Sequence, residues 1–275
     1  MYRLNHLRPT CALLLGGVLL LGAHSASAAT YYFTDAANNQ LWSNEDNWET
    51  ACASGLDGQV PTSSDDAVIC TGKMCEVDIT TAVCDSLTVP SGAELEINVA
   101  KILTVYDDVT VNGDLDVLGT GALHFGATLG MSGSGTLQVA VNTEWVWQGD
   151  YTVTLASGMT IQAMGFCECS RSGGTAYTFV NNGTVEAGSF GRRIFTDGTI
   201  EGGSSGLFKI QGSNGPWIDF SDTTTVSSIT ADCEVHSGDL KINTDVCTTG
   251  ELECDGGEII VAAGTTFQAG GSCGN

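Results

Sequence analysis

The side chains with chemistry to offer are cysteines, carboxylates and one close pair of tryptophans. Cys52, Cys70, Cys75, Cys84, Cys167, Cys169, Cys233, Cys247, Cys254 and Cys273 fall in groups of four, two and four. An even number in an exported chain implies disulfides local to each end of the fold, with a pairing that spacing does not fix. Cys167-Glu168-Cys169 would set two sulfurs on one face of a strand, and an oxidising compartment favours a disulfide there over a zinc thiolate. In Glu144-Trp145-Val146-Trp147-Gln148, an extended backbone puts Trp145 and Trp147 on one face and Val146 on the other. With Val146 inward, the two indoles and Tyr151 form a platform for stacking sugar rings, with Gln148 and Asp150 at hand for hydroxyls. The competing reading buries both indoles under a loop or in the core.

Catalytic patterns are incomplete. Gly202-Gly203-Ser204-Ser205-Gly206 spells the G-x-S-x-G of a nucleophile elbow, and Asp219, Asp222 or Asp232 with His236 follows in a suitable chain order. An elbow needs a strand before it and a helix after it. This cluster joins TIE to LFKI, one short strand to another, and reads as a turn. With 32 acidic residues a pair at glycosidase spacing could be drawn almost anywhere, so none is singled out. Arg192-Arg193 beside Phe190 could contact an acidic sugar but reads as a solvated turn. The histidines outside the leader, His124 and His236, lie far apart in sequence. Calcium is the ion that the oxygen-rich turns would suit, through Asp65 and Asp66 or through Asp107, Asp108, Asp114 and Asp116. No cofactor is required, and the lack of a complete constellation leans away from an enzyme.

These residues must be positioned by strands. Between Cys84 and Ala140 the chain is a succession of short alternating runs, DSLTV, AELEI, KILTV, DVTV, GDLDV, GALHF and GTLQV, separated by glycine or acidic turns. Apolar and polar positions alternate, so each run turns one face inward. Ser91-Gly92, Asn112-Gly113, Thr120-Gly121 and Ser134-Gly135 supply tight turns. The runs recur at unequal intervals: DSLTV starts at Asp85 and KILTV at Lys101, GDLDV at Gly113 and GALHF at Gly121, NGTVEA at Asn182 and DGTIEG at Asp197. That irregularity suits a winding of strands with turns of variable length better than a fixed blade repeat. The expected fold is an all-β, right-handed parallel β-helix over residues 67–275, behind an irregular, tryptophan-bearing cap over 30–66. An antiparallel sandwich is the main competitor, but it would show longer strands and clearer hairpin turns.

Residues 1–29 read as a cleaved secretory signal: Arg3 and Arg8, an apolar stretch from Cys11 to Gly22, and Ala26-Ser27-Ala28 as the cleavage site. Without Arg3 and Arg8, seven basic residues face 32 acidic ones, a net charge of −25. A surface that acidic repels nucleic acid and anionic membrane. The expected location is extracellular, at the cell surface or in the periplasm, without membrane insertion.

Trp42-Ser43, Asn47-Trp48, Pro61, Asp65-Asp66-Ala67-Val68-Ile69 and Cys84-Asp85-Ser86-Leu87-Thr88-Val89 together carry a resemblance. Over residues 40 to 140 the chain resembles secreted bacterial surface and adhesin-like β-helix (β-solenoid) proteins that begin with a tryptophan-rich segment. It is more weakly similar to the eight-glycine domain of large eukaryotic extracellular proteins. Asn243-Thr244-Asp245 is similar to the first motif of polygalacturonase-type β-helix enzymes, but the aspartate pair, the His-bearing segment and the basic clamp that should follow are missing. The resemblance implies a secreted, disulfide-stabilised, non-catalytic surface, matrix or adhesion component whose partner is an extracellular polymer or cell-surface component. The alternative is a carbohydrate-active protein that binds or degrades polysaccharide.

Overall fold

The computed structural model describes residues 28–55, 58–140, 143–171, 177–188, 191–195, 198–203, 205–211, 216–220, 225–229, 232–243, 246–248 and 252–269. Alternation of Val, Leu, Ile and Thr with charged or small polar residues makes each run a strand with one buried row. Asp66–Ile69, Met74–Val77 and Glu94–Ile97 all alternate half-buried with buried. Each run is too short to pair with itself, and glycine or asparagine then turns it away.

Successive strands therefore enter different sheets. Asp66–Ile69 lies in a first sheet, Met74–Val77 in a second and Thr81–Cys84 in a third, and Leu87–Val89 returns to the first beside Asp66–Ile69. Among the described residues, repetition builds three sheets of 12, 9 and 9 strands. The chain is a β-solenoid with almost no helix; a 3-10 turn, Glu45–Asn47, lies in the cap. Coil-to-coil pairing is parallel, which excludes the sandwich; among the described residues the antiparallel pair is Thr30–Phe33 with Trp48–Glu49. Coil length follows from the register and varies along the stack. Asp114 pairs with Glu94 on one side and with Thr136 on the other. Later coils are both longer, where Leu207 pairs with Asp232, and shorter, where Cys233 pairs with Leu252.

In-register stacking turns the alternation into continuous buried columns. Leu95, Leu115, Leu137, Ile161 and Val185 stack along the second sheet, each fully buried. Each such side chain contributes ~1.5–3 kcal/mol over its exposed state. The turns between the columns are tight. A Cβ at Gly113 would collide with the carbonyl oxygens of Ala93 and Pro90, and Gly133, at φ +120°, sits against Val111 O.

The N-terminal end of the columns is covered. Phe33, Trp42 and Trp48 are buried, with ring centroids 5.3 Å (Phe33 to Trp48) and 4.7 Å (Trp42 to Trp48) apart, both edge-on. Trp48 Nε1 donates to Trp42 O at 2.8 Å. The cap loop satisfies the open sheet edge: Trp42 N donates to Glu76 O, and Glu76 N to Gln40 O. Buried Asn47 locks the loop, its Nδ2 donating to Asn39 Oδ1 and Leu41 O and its Oδ1 accepting from Ala37 N. Cap tryptophans and Asn47 thus solve the problem of an exposed solenoid end.

At the other end, inward residues of the last described coil, Leu252, Ile259 and Phe267, are only partly buried. Ile260 and Val261 are each 42% exposed.

Candidate functional site: a carboxylate face on the second sheet

In Glu94–Ile97 (ELEI) and Asp114–Val117 (DLDV) the aliphatic residues take the buried columns, which forces every carboxylate outward. The register then aligns them: Glu76 with Glu96 with Asp116, and Glu94 with Asp114. Neighbouring strands are ~4.8 Å apart, so like charges stack at close range. One oxygen from each of Glu94, Glu96 and Asp116 lies within 4.8 Å of the other two.

Asp116 is the centre of this face. Its Oδ1 is buried and has no hydrogen-bond partner among the described residues. Burial, then the charges of Glu94, Asp114 and Glu96, push its carboxyl up to about 6. Glu96 is raised in the same sense, by burial and then by Glu94 and Glu76. Farther along, the column from Asp116 turns neutral and then mixed: Gln138, Gln162, Glu186, Lys209 and Glu234. There Gln162 and Gln211 each donate to Glu186 Oε1, at 3.2 and 2.8 Å.

A second acidic stripe runs along the corner that leads into the first sheet. Asp85 N donates to Asp65 O, and Asp107 N to Asp85 O, so the three residues stack coil on coil. Burial, then Asp107, Asp66 and Asp65, raise the Asp85 carboxyl. Here most carboxylates have structural partners. Asp65 Oδ2 accepts from Thr62 N and Oγ1; Asp66 accepts from Ser86 Oγ at 2.6 Å and Thr30 Oγ1 at 3.2 Å; Asp108 Oδ1 accepts from Gly130 N at 2.8 Å. The aspartates named as calcium ligands therefore divide between two places: Asp65, Asp66, Asp107 and Asp108 on the corner, and Asp114 and Asp116 on the flat face with two glutamates.

Two clefts, of about 400 and 450 Å³, flank Glu49 in the cap. Burial pushes the Glu49 carboxyl up, but hydrogen bonds from Gly55 N, Thr34 Oγ1 and Ser54 outweigh it, and the net shift is downward. Glu49 thus fastens the cap, with its oxygens already occupied by protein donors.

The cysteines separate into crosslinked and core residues. Cys52 and Cys70 form a disulfide over a separation of 18 residues. Cys75 and Cys84, counted among the disulfide candidates, are instead free thiols in the core; alternation assigns both to inward rows. Burial and nearby carboxylates push both thiols up, which keeps them unreactive. Cys254 is also a free thiol, exposed, its Sγ donating to Gly257 O at 3.2 Å. Cys233 is buried. The side chains of Cys167, Cys169 and Cys247, and all of Cys273, lie outside the described residues.

The tryptophan pair sits in Thr143–Trp147 of the third sheet. Its register aligns Trp145 with Leu123 and Trp147 with Phe125, two fully buried residues, and Val146 with half-buried His124. Val146 is 7% exposed. The two indoles themselves lie outside the description, and Tyr151 is partly buried against the core. The glycine cluster at 202–206 joins strand Gly198–Gly202 to strand Leu207–Ile210, without a helix after it, although Ser204 is outside the described residues. Asn243 Nδ2 donates to Asp219 Oδ1 at 2.6 Å, while Thr244 and Asp245 are outside the description.

The fold defines a class, the parallel β-solenoids. Within it, the chain belongs to the family defined by a domain of unknown function, DUF8693, whose profile matches residues 33–258, from the cap to the last coils. No curated protein and no solved structure matches it.

Proposed function

We propose that this chain is a secreted, non-catalytic scaffold that winds right-handed and works at the cell surface or in an extracellular matrix, meeting its partner through acidic lateral faces. One observation carries the reading: described strands from Asp66 to Ala269 pair in parallel coil on coil, with a register shift at Ile200–Glu201, so outward residues form rows along three sheets. Such rows suit an extended partner, a polymer or a matrix component, because outward positions recur at regular spacing from coil to coil. The carboxylate rows favour a partner with positive charge or bridging cations. Right-handed winding is the sense that strand twist favours for parallel crossovers. The cap disulfide suits an oxidising compartment.

The test is direct. The chain is expressed with its own leader in a bacterial host, and the culture is fractionated with and without a bifunctional crosslinker. The reading expects product outside the cytoplasm, beginning near Thr30, and crosslinked adducts that high salt reduces. Uncleaved product retained in the cytoplasm, or soluble product without adducts on any producing cell, would overturn it.

A further inference from the structure

We propose that His236, Glu253 and Asp255 form a binding site for a divalent transition metal of the zinc class. The site is independent of the carboxylate face and of the scaffold reading. Its three members come from two adjacent coils. His236 directly follows the strand Asp232–Val235, while Glu253 lies in the strand Leu252–Cys254 and Asp255 follows it. Val235 pairs with Cys254, and Asp255 N donates to Val235 O at 2.9 Å, which carries Asp255 up to the level of His236. One ligand atom from each of the three lies within 4.8 Å of the others. A single ion at ~2.0–2.2 Å from each can close that spread with small side-chain rotations.

Two further features favour a metal over a chance cluster of acids. The first is the imidazole, because a nitrogen donor selects zinc, nickel or copper over calcium and magnesium, which the all-oxygen Glu94, Glu96 and Asp116 would suit better. The second is Glu234. Its Oε2 lies 3.2 Å from His236 Nε2, a contact that, with the proton on Nε2, leaves Nδ1 open to a metal. A carboxylate gripping the far nitrogen of a ligating histidine is the usual outer support of a zinc site. Glu234 is itself steadied by Lys209 Nζ at 3.8 Å. His236 is half-buried and both carboxylates are exposed, so an ion can reach them from solvent. Three protein ligands leave a fourth tetrahedral position for water or for a donor from a bound polymer.

The experiment is equilibrium dialysis of the full chain against Zn2+, followed by Co2+ substitution and visible spectroscopy. One equivalent should bind with micromolar or tighter affinity, and Co2+ should show d–d absorption. His236→Ala should remove that equivalent and the absorption, and the exposed pair Glu253→Gln/Asp255→Asn should do the same. Glu234→Gln should keep the stoichiometry but weaken binding by about 10–100-fold, as for an outer-shell partner. Asp116→Asn and Cys254→Ser should bind as the parent does. Circular dichroism verifies that each variant is folded; if His236→Ala is not, the surface pair decides. The proposal is overturned if His236→Ala retains the equivalent, if Cys254→Ser loses it, if Ca2+ displaces Zn2+ at equal concentration, or if no Zn2+ binds.

Discussion

Replacing Asp116 by Asn should make the protein more stable at neutral pH and leave it unchanged in acid. In the folded chain the Asp116 carboxyl is raised to about 6 by burial, then by Glu94, Asp114 and Glu96. In the unfolded chain it titrates near the ordinary ~3.9. The folded state thus holds the proton more tightly, so the stability contributed by this group is complete below pH ~4 and is lost as the pH rises through about 6. Above that, a charged oxygen without a hydrogen-bond partner among the described residues faces two glutamates and an aspartate. The full difference corresponds to a ceiling of ~3 kcal/mol at about 1.36 kcal/mol per tenfold change in proton affinity. Because the side chain is only half-buried, solvent and salt reduce this to ~1.5 kcal/mol. Asn keeps the shape of the protonated acid without the charge. Asp116→Asn should therefore raise the melting temperature by about 3–6 °C at pH 8 in low salt and by about 0 °C at pH 4. Added salt should shrink the difference at pH 8 by screening the carboxylate repulsion, leaving the part due to burial. Thermal melts of both proteins at pH 4, 6 and 8 measure it. An equal shift at pH 4 and pH 8, or a loss of stability at pH 8, would refute the account of the face.

Three further outcomes follow from the packing. Gly133→Ala should cost ~2 kcal/mol or more in urea unfolding, because positive φ and the Val111 carbonyl both exclude a Cβ; Gly72→Ala, where φ is +76° but nothing lies within 4 Å, should cost only ~1 kcal/mol. Removing the cap crosslink in a Cys52→Ser/Cys70→Ser double variant should lower unfolding stability by ~3 kcal/mol, the value for a loop of about 18 residues, and a fall under about 0.5 kcal/mol would show that the cap holds without it. Thiol labelling of the native protein, read by peptide mass spectrometry, should modify Cys254 within minutes but Cys75 and Cys84 only after denaturation.

The strands were legible in the sequence because their signal is local. ELEI, DLDV and TLQV each declare their buried row without reference to any other segment, and the solenoid follows from many such runs joined by turns too short for other crossovers. The coil length was not legible. DSLTV and KILTV belong to the first and third sheets, and GDLDV and GALHF to the second and third. Comparing them measures the distance between faces of one coil. The structural repeat appears when AELEI is set against GDLDV and GTLQV, where Leu95, Leu115 and Leu137 stand one full coil apart. That same comparison would have found the carboxylate face, since Glu96 and Asp116 hold equivalent places in two such runs. Residue type alone could not separate cysteines of the cap from cysteines of the core. Cys75 and Cys84 alternate as core residues do, and that alternation was the available sign of their fate.

The aromatic cover over the amino-terminal end of the columns gives the molecule a direction of assembly. Each coil closes only a short loop, as from Leu207 to Asp232 or from Cys233 to Leu252, onto an edge already in place. After the first layer, the entropic cost of every addition is therefore small and nearly constant. Phe33, Trp42 and Trp48, together with the covalent tie at Cys52, form the seed on which that growth begins. The structure should therefore accrete from its amino-terminal side as the polypeptide is delivered, and amide protons around fully buried Leu95 should exchange later than those around Ile260, which is 42% exposed.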